Sequence, residues 1–402
     1  MHRDLIIFGG GVAGLWLLDE AVRNGYSAIL VEASALGSGQ TVASQGIIHG
    51  GLKYTLQGLL TGSATAIREM PLVWRECLAG QRQPDLTDTP VRSDYCYLWR
   101  TESVSSRLGM IGARFGLRVA PQSLEKDERP EALANVPGTV ARLDEQVISP
   151  AGMIQNLAAR HSESIVLVNA ERTEFRRAPN GQLQSVQLVH PTSSETLTVS
   201  PTQIVFAAGA GNAMLRQQAG LDAQTMQRRP LHMVLARGPL PKLNGHCVDG
   251  AKTRVTITSD VDTENRTVWQ IGGQVSELGV TQSARELIAS AKTELSNVLP
   301  GIDFTNVEWA TYRVDRAEGR TPNGGRPESY QIDQTGPYLT AWPTKLVLAP
   351  RLASELLSKL QPPSGQSSPT VPSRWPRPTV ALPPWETVEW SRETTGPSYR
   401  AA

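Results

Sequence analysis

The chain begins with a short apolar run that ends in a cluster of glycines. After Asp4, the residues up to Phe8 are apolar, and apolar positions then recur at helical spacing to Leu18. A second apolar run, Ala28 to Val31, is closed by Glu32. This succession of apolar strand, glycine turn, helix and apolar strand predicts a β–α–β unit at the start of the chain.

The rest of the chain repeats both periodicities. Helical spacing is found in the segments 63–79, 152–161, 283–299 and 347–360. Strand-like runs occupy the segments 164–168, 183–188, 196–200, 204–208, 254–258 and 267–273. Strands alternate with helices in part of the chain and follow one another directly in the rest. The pattern therefore predicts an α/β fold in which a parallel sheet is accompanied by a more antiparallel region.

The first glycine turn has the spacing of a dinucleotide-binding site. Gly9 permits a tight turn, Gly11 lets a pyrophosphate approach the backbone, and Gly14 lets the helix pack closely on the strand. The N-terminus of the helix presents free N–H groups to the phosphates. Glu32 is placed to accept hydrogen bonds from both ribose hydroxyls and disfavours a 2′-phosphate. The motif predicts FAD or NAD rather than NADP.

Composition and charge exclude several other classes. The 402 residues, 40% hydrophobic and 19% charged, are typical of a globular protein of about two domains. A net charge of +1 gives no electrostatic reason to expect nucleic acid. The three cysteines form no CxxC pair, and a second glycine turn at 209–214 lacks its third glycine, which argues against a disulfide reductase. No signal peptide or membrane span is evident, so we expect a cytoplasmic location.

The C-terminal residues 361–402 differ from the rest in composition. They are rich in proline and serine, as is typical of a linker or tail. The same segment contains Trp375, Trp385 and Trp390, which are costly to expose. Two alternatives stay open: a solvated tail, or a tail that is partly docked on the body of the protein.

The segment that follows Glu32 contains small and hydroxyl residues, from Gly37 to Tyr54, that suit a backbone passing close to a pyrophosphate and a planar ring. Here the chain resembles the FAD-dependent oxidoreductases of the D-amino-acid oxidase superfamily. Within that superfamily, Ile48 to Tyr54 is most similar to glycerol-3-phosphate dehydrogenases and L-2-hydroxyglutarate oxidases. Shorter similarities follow at 147–150, 169–173, 204–211, 269–273 and 312–324.

The resemblance implies two domains. A Rossmann-like FAD-binding domain with a parallel sheet would be assembled from 1–85, 145–225 and 315–360. A mainly antiparallel α+β substrate domain would comprise 86–144 and 226–314, and 361–402 would form the proline-rich tail. FAD is the implied cofactor. The implied cofactor-binding residues are Gly9, Gly11, Val12, Ala13, Gly14, Glu32, Thr41, Ser44, Gln45, Gly46, Thr173, Ala208, Gly209, Lys345 and Leu346.

The chain departs from the family pattern in the turn before the last helix. The family usually has glycines there, which direct backbone N–H groups towards the flavin, whereas this chain has none between Thr340 and Pro350. Either the turn contacts the flavin in another way, or Lys345 contributes a positive charge. Asn323 also stands where an aspartate is common, and 361–402 is too short for the extra C-terminal domain of glycerol-3-phosphate dehydrogenases.

Oxidation of an anionic substrate by a flavin requires a cationic anchor and a proton acceptor. Arg313 is the candidate anchor, because a guanidinium binds carboxylate or phosphate in a bidentate geometry; the alternative is an arginine paired with a structural acid such as Asp315. His49 is the candidate proton acceptor, and its alternative is a histidine that only hydrogen-bonds backbone near the cofactor. His232 is a third candidate, with an ordinary sheet histidine as the favoured interpretation.

The sequence therefore predicts an FAD-dependent dehydrogenase or oxidase. Its substrate would be a small anion, a 2-hydroxy acid or a polyol phosphate, oxidised by hydride transfer to flavin N5. Oxygen, a quinone or another carrier would accept the electrons, and no nucleic acid or metal is expected. An amino acid or secondary amine is the alternative substrate. A flavoprotein subunit that needs a partner, or a structural or tRNA-modifying role for FAD, is a different class that stays open.

Overall fold

A computed structural model describes residues 1–50, 67, 69–101, 121–249, 252–366 and 370–391. The part of the family-like segment beyond Gly50, and most of the first half of the predicted helix at 63–79, lie outside these residues.

Eighteen strands and seven α-helices are present in the described residues. The strands are β1 (His2–Phe8), β2 (Ala28–Glu32), β3 (Val91–Ser93), β4 (Cys96–Trp99), β5 (Gln122–Leu124), β6 (Val140–Leu143), β7 (Val147–Ile148), β8 (Ile165–Leu167), β9 (Glu174–Arg177), β10 (Leu183–Val189), β11 (Thr196–Phe206), β12 (Met226–Gly238), β13 (Gly245–Asp249), β14 (Lys252–Val261), β15 (Thr267–Gly272), β16 (Glu308–Gly319), β17 (Gln331–Thr335) and β18 (Tyr338–Trp342). The helices are α1 (Val12–Arg23), α2 (Met70–Leu78), α3 (Pro150–Ala159), α4 (Asn212–Gln218), α5 (Gln274–Leu278), α6 (Ala284–Val298) and α7 (Ala349–Lys359).

The first sheet has a parallel centre. Its order is β17–β18–β11–β1–β2–β8, and the pairs between β18 and β8 in this order are all parallel. The strands β9 and β10 extend it as an antiparallel hairpin on β11. Because parallel strands share their carboxyl edge, the first glycine turn, Glu32 and the turn after Phe206 meet at one edge. The predicted α/β, Rossmann-like class is confirmed.

The second sheet is largely antiparallel and comprises β16–β12–β15–β14–β13–β4–β6–β5. Only the β13–β4 pair within it is parallel. Helix α6 packs on one face through Leu287, Ala291 and Leu295, which recur at helical spacing and are fully buried. Ser283 caps its N-terminus in a reciprocal capping box with Glu286. The other face of the sheet is therefore left to contact the first sheet and its turns.

The described residues of the C-terminal segment are docked. Trp375 is only 2% exposed, and its indole N–H donates to the carbonyl of Leu167 at 2.9 Å. Further along, Val380 bridges to Leu36, and Trp385 is buried in a small cluster with residues of the second sheet. The segment thus runs from the edge of one sheet to the other. No helix in the described part of the chain has the length and hydropathy needed to cross a bilayer.

Replacement of Trp375 tests how much this docking contributes to stability. Trp375→Ala is expected to lower the free energy of unfolding by about 3–5 kcal/mol, because it leaves a cavity and an unpaired carbonyl. The neighbouring Arg374, whose side chain is 73% exposed in an ion pair with Glu195, provides the control. Arg374→Ala should cost at most about 1 kcal/mol. Equal losses for the two variants in denaturant unfolding would mean that the tail does not stabilise the fold.

Candidate active site

A cavity of about 480 Å³ lies at the carboxyl edge of the first sheet. Two glycines of the first turn allow the chain to pack closely there. A Cβ on Gly9 would lie 2.5 Å from Cα of Ala208, and a Cβ on Gly14 would lie 2.0 Å from the carbonyl oxygen of Gly9. Eight of the predicted cofactor residues line this cavity: Gly9, Gly11, Val12, Ala13, Glu32, Thr41, Ala208 and Gly209.

Glu32 is held in place at the rim of this cavity. One carboxylate oxygen accepts from the backbone N–H of Gly10 at 2.6 Å, and the other accepts from that of Ala33 at 2.8 Å. These bonds fix the carboxylate and leave lone pairs for hydroxyl donors. Helix α1 begins at Val12, so its positive N-terminal end also faces the cavity. The arrangement fits a ribose and a pyrophosphate.

A narrower cavity of about 180 Å³ continues from there between the two sheets. Its walls include Ser44, Val314, Lys345 and Leu346. The hydroxyl oxygen of Ser44 is buried and has no hydrogen-bond partner among the described residues. Burying such a group without a partner is costly, so this hydroxyl fits a bound polar ligand. These residues fit the ring end of FAD and would hold it.

The glycine-free turn before α7 forms part of this wall. Thr344 has a φ of 62°, the left-handed conformation that usually requires glycine. Its hydroxyl donates to the carbonyl of Ser329 at 2.9 Å, which supports that conformation. Lys345 is buried, and its ammonium group donates to the carbonyl of Glu328 at 3.0 Å. A threonine thus makes the turn for which the family uses glycine, and Lys345 borders the cavity.

A third cavity, of about 210 Å³, adjoins the narrow one and faces the second sheet. Both cavities share Ala43, Ser44, Leu231, Val314, Arg316 and Lys345. Its apolar wall includes Met233 and Val248. The three cavities therefore form one continuous series from Glu32 to the second sheet. Such a series suits a dinucleotide cofactor with a small substrate at its far end.

Strand alternation decides which residues of β12 and β16 reach the third cavity. Leu231 lies opposite Val314, and both line it. His232 lies opposite Arg313, so their side chains share the other face of the sheet. The guanidinium of Arg313 donates to the carbonyls of Val280 and Gln282 at 2.9 and 3.0 Å. Arg313 borders the cofactor cavity instead.

His232 is buried on that same face. Its Nδ1 lies 3.1 Å from the carbonyl oxygen of Gly279. Burial lowers the pKa of His232, and the nearby charge of Arg313 lowers it further. The structure thus places His232 in a backbone contact, as an ordinary sheet histidine would be.

Three cationic side chains line one side of the third cavity: Arg316, Arg326 and Lys345. The guanidinium of Arg316 lies 3.3 Å from the carboxylate of Glu277, but its Nε is buried with no acceptor among the described residues. Burial lowers the pKa of Arg316, and repulsion from Arg229 and Arg326 adds to this effect. A bound anion would offset that repulsion.

His49, Glu145 and His246 meet on another wall of the same cavity. Oε2 of Glu145 lies 3.5 Å from Nδ1 of His49 and 3.6 Å from Nε2 of His246. The other carboxylate oxygen accepts from the N–H of Gly50 at 2.6 Å. Burial acts to raise the pKa of Glu145, yet the neighbouring imidazoles of His246 and His49 outweigh it and hold this pKa well below its usual range. The carboxylate is therefore ionised.

Three of the predicted cofactor residues do not line the cavities: Gly14, Gly46 and Thr173. Gly46 has a φ of 71°, and a Cβ there would lie 2.1 Å from the carbonyl oxygen of Ile148. Thr173 is buried and donates to the carbonyl of Asn169, while Val168 and Ala170 face the cofactor cavity. Gln45 lines the third cavity rather than the first.

Sequence reasoning did not single out Glu145, His246, Arg316 or Arg326. One signal was available for Arg316, because it shares the period-2 face of Tyr312 and Val314 in the segment 312–324, which resembles the family. Glu145 lies two residues before β7 in a segment interpreted only as a connection, and nothing local distinguishes it from a surface acid. Its role depends on β13, which is distant in sequence.

Comparison with known proteins agrees with this geometry. A family model described as FAD dependent oxidoreductase matches residues 4–343, so the chain belongs to this family of FAD-dependent oxidoreductases. A curated protein of Pseudomonas aeruginosa, named probable FAD-dependent oxidoreductase PA4991, is 37% identical over 96% of this chain and 98% of its own length. Its crystal structure superposes with a TM-score of 0.81. FAD is therefore the cofactor, as the sequence predicted.

More distant structures share the fold. Glycine oxidase from Geobacillus kaustophilus has a TM-score of 0.63 at 18% identity and covers 89% of this chain and 94% of its own. L-alpha-glycerophosphate oxidase from Mycoplasma pneumoniae, with FAD bound, has a TM-score of 0.63 at 15% identity, over 95% of this chain and 100% of its own. The predicted membership of the D-amino-acid oxidase superfamily is confirmed.

Replacement of Glu32 tests the proposed ribose contact. Glu32→Gln is expected to weaken FAD binding by about tenfold, because an amide replaces one charged acceptor. Glu163→Gln, at an exposed position, is the matched control and should bind FAD as the unmodified protein does. The measurement is titration of the apoprotein with FAD, alongside its thermal midpoint. Equal FAD affinity in both variants would remove Glu32 from the site.

Proposed function

We propose that the protein oxidises the hydroxyl-bearing carbon of a small anion, a 2-hydroxy acid or a polyol phosphate. The observation that carries the proposal is the third cavity, in which cationic side chains and His49 line the same small space beside the cofactor cavities. When bound, the flavin supplies the hydride acceptor. Arg316, with Arg326 and Lys345, would hold the anionic group, and His49 would take the hydroxyl proton.

The anchor role belongs to Arg316 rather than to Arg313 in this proposal. Arg316 lines the cavity and has a buried Nε without an acceptor among the described residues, so a carboxylate or phosphate oxygen would complete its hydrogen bonds. Arg313 already donates to two backbone carbonyls on the opposite face of the strand. Two observations therefore favour Arg316. Its side chain lies on the face of β16 that lines the cavity, and its Nε–H has no acceptor among the described residues.

The charge arrangement favours a hydroxyl over an amine as the group that is oxidised. An alcohol must lose its O–H proton as the hydride departs, whereas an amine can react as its uncharged form without a protein base. His49 lines this cavity, and its Nδ1 lies 3.5 Å from the carboxylate of Glu145, so an imidazole is available as the base that an alcohol needs. An amino acid or secondary amine is the second candidate, because the same fold serves both substrate types.

The electron acceptor and the location belong to the same proposal. We propose that oxygen, a quinone or another small carrier reoxidises the flavin, and that the protein works in the cytoplasm. Stopped-flow measurement of the rate of flavin reoxidation, once in air and once with a quinone, distinguishes the two acceptors.

The test is anaerobic reduction of the FAD-loaded protein, followed by loss of the flavin absorbance band near ~450 nm. 2-Hydroxy acids, polyol phosphates and amino acids are each added alone. Rapid bleaching by a hydroxy acid or a polyol phosphate is the expected result. Bleaching only by amino acids or secondary amines would favour the second candidate. Bleaching by none of them, in a protein that still binds FAD, would contradict both candidates.

A pair of arginine variants tests the anchor. Arg316→Gln should raise the substrate KM by about 10- to 100-fold, because a charge-assisted hydrogen bond contributes about 1.5–3 kcal/mol. Arg313→Gln, on the opposite face of the same strand, should change KM by less than about threefold. FAD content and thermal midpoint are measured for both. A larger KM effect from Arg313→Gln would return the anchor role to that residue.

A further inference from the structure

We propose that Glu145 is the positioning residue for His49, and that His246 in turn holds the Glu145 carboxylate in place beside His49. The three side chains, together with Thr256, would form one series of polar contacts that leads from the substrate cavity into the second sheet. The inference deepens the proposed function and rests on it, because it assigns the proton-accepting group of that same cavity.

The distances between these four side chains give the order of atoms in the series. Nδ1 of His49 faces Oε2 of Glu145 at 3.5 Å, and Nε2 of His246 faces the same oxygen at 3.6 Å. Nδ1 of His246 lies 3.0 Å from the hydroxyl oxygen of Thr256. The rings of the two histidines lie 5.5 Å apart, centroid to centroid. One carboxylate oxygen thus faces two neighbouring imidazoles.

The carboxylate is fixed from behind as well. Its Oε1 accepts from the backbone N–H of Gly50 at 2.6 Å, directly after His49 in the chain. This bond links the position of the carboxylate to the backbone of the residue next to the one that it orients. Glu145 is buried, so no solvent competes for the carboxylate, and rotation would forfeit a short charge-assisted bond.

This geometry selects one tautomer of His49. An ionised carboxylate facing Nδ1 favours the proton on Nδ1. Nε2, on the far side of the ring, is then the unprotonated nitrogen that a substrate hydroxyl in the cavity can reach. About half of the His49 side chain is exposed, which leaves that edge open to the cavity. Glu145 acts through His49 and need not touch the substrate.

The charge of Glu145 depends on both histidines. Burial alone would favour its neutral form, which stabilises no imidazolium. Nε2 of His246, which lies 3.6 Å from the same carboxylate oxygen as Nδ1 of His49, supports the ionised form alongside it. The other titratable groups near this unit are Cys96, which is buried behind Glu145, and Glu277, Arg316, Arg326 and Lys345, which line the cavity.

The transfer of a proton to His49 completes the two-electron oxidation of an alcohol that an FAD-dependent oxidoreductase would carry out. When bound, the flavin would supply the acceptor for the hydride of the substrate C–H, Nε2 of His49 would take the O–H proton, and the oxidised carbon would be left as a carbonyl. His49 becomes an imidazolium whose charge faces the Glu145 carboxylate. The proton later leaves from Nε2 to solvent through the cavity. No metal or further oxidant enters this step.

Glu145→Gln tests the proposal because the amide keeps the shape and removes the charge. Flavin reduction should slow by about 100-fold with little change in substrate affinity, since the lost charge acts on the proton and not on the anionic group. A purely structural role would instead lower FAD content and substrate affinity together with the rate.

Two further variants keep the test interpretable. Glu294→Gln removes a carboxylate from an ion pair with Arg254, on the helix side of the same sheet, and should leave the rate of flavin reduction unchanged. His246→Gln should also slow flavin reduction, by less than Glu145→Gln does, because Glu145 then loses one of its two neighbouring imidazoles. If Glu145→Gln fails to fold, the His246→Gln result decides. An unchanged rate in a folded variant would overturn the proposal.

A substrate-free measurement separates this inference from the proposed function. Nitrogen NMR of FAD-loaded, histidine-labelled protein should show His49, assigned through His49→Gln, protonated on Nδ1 near neutral pH. Glu145→Gln should abolish that preference. The NMR result does not depend on a substrate. If no hydroxy acid or polyol phosphate reduces the flavin, only the proposed function is contradicted. Tight, stoichiometric zinc binding to the unmodified protein that Glu145→Gln abolishes would instead assign the three residues to a metal and overturn the proposal.

Discussion

The active site depends on how the segment 40–46 is held between the two sheets. The carbonyl of Ala43 accepts from the side-chain amide of Gln270 at 2.8 Å and from the hydroxyl of Tyr312 at 3.0 Å. The side-chain amide of Gln45 donates to the carbonyls of Thr256 and Gln270 at 3.1 and 2.9 Å. Because these bonds are directional and largely buried, they fix this segment against the second sheet. The cofactor cavities and the third cavity are consequently adjacent.

The cationic and the anionic side chains of the third cavity lie on different walls. Arg316 lies on β16 among other cations, with its pKa lowered by burial and repulsion, whereas Glu145 stays ionised beside two imidazoles. A buried charge is costly without a partner, so the cations suit an anionic ligand and the carboxylate suits a role in orienting His49. A negatively charged alcohol would use both walls of the same cavity.

The sequence predicted the parts of this structure that are encoded locally. The glycine turn, Glu32 and the strand order around them follow from short spacings, so the α/β class, the cofactor and the family were within reach. Residues such as Glu145 and His246 were not, because their meeting depends on the pairing of β4, β6 and β13 across long sequence separations. Arg313 was chosen by residue type, yet strand alternation turns it away from the cavity and turns Arg316 towards it.

The most direct test of the account is a crystal structure of the FAD-loaded protein with oxalate, a dicarboxylate that cannot be oxidised in this way. The account predicts one carboxylate on the guanidinium of Arg316 in the third cavity, with the flavin ring beside segment 40–46 and the other end of oxalate near His49. Oxalate bound on the Arg313 face of β16, or a flavin ring outside the narrow cavity, would contradict it.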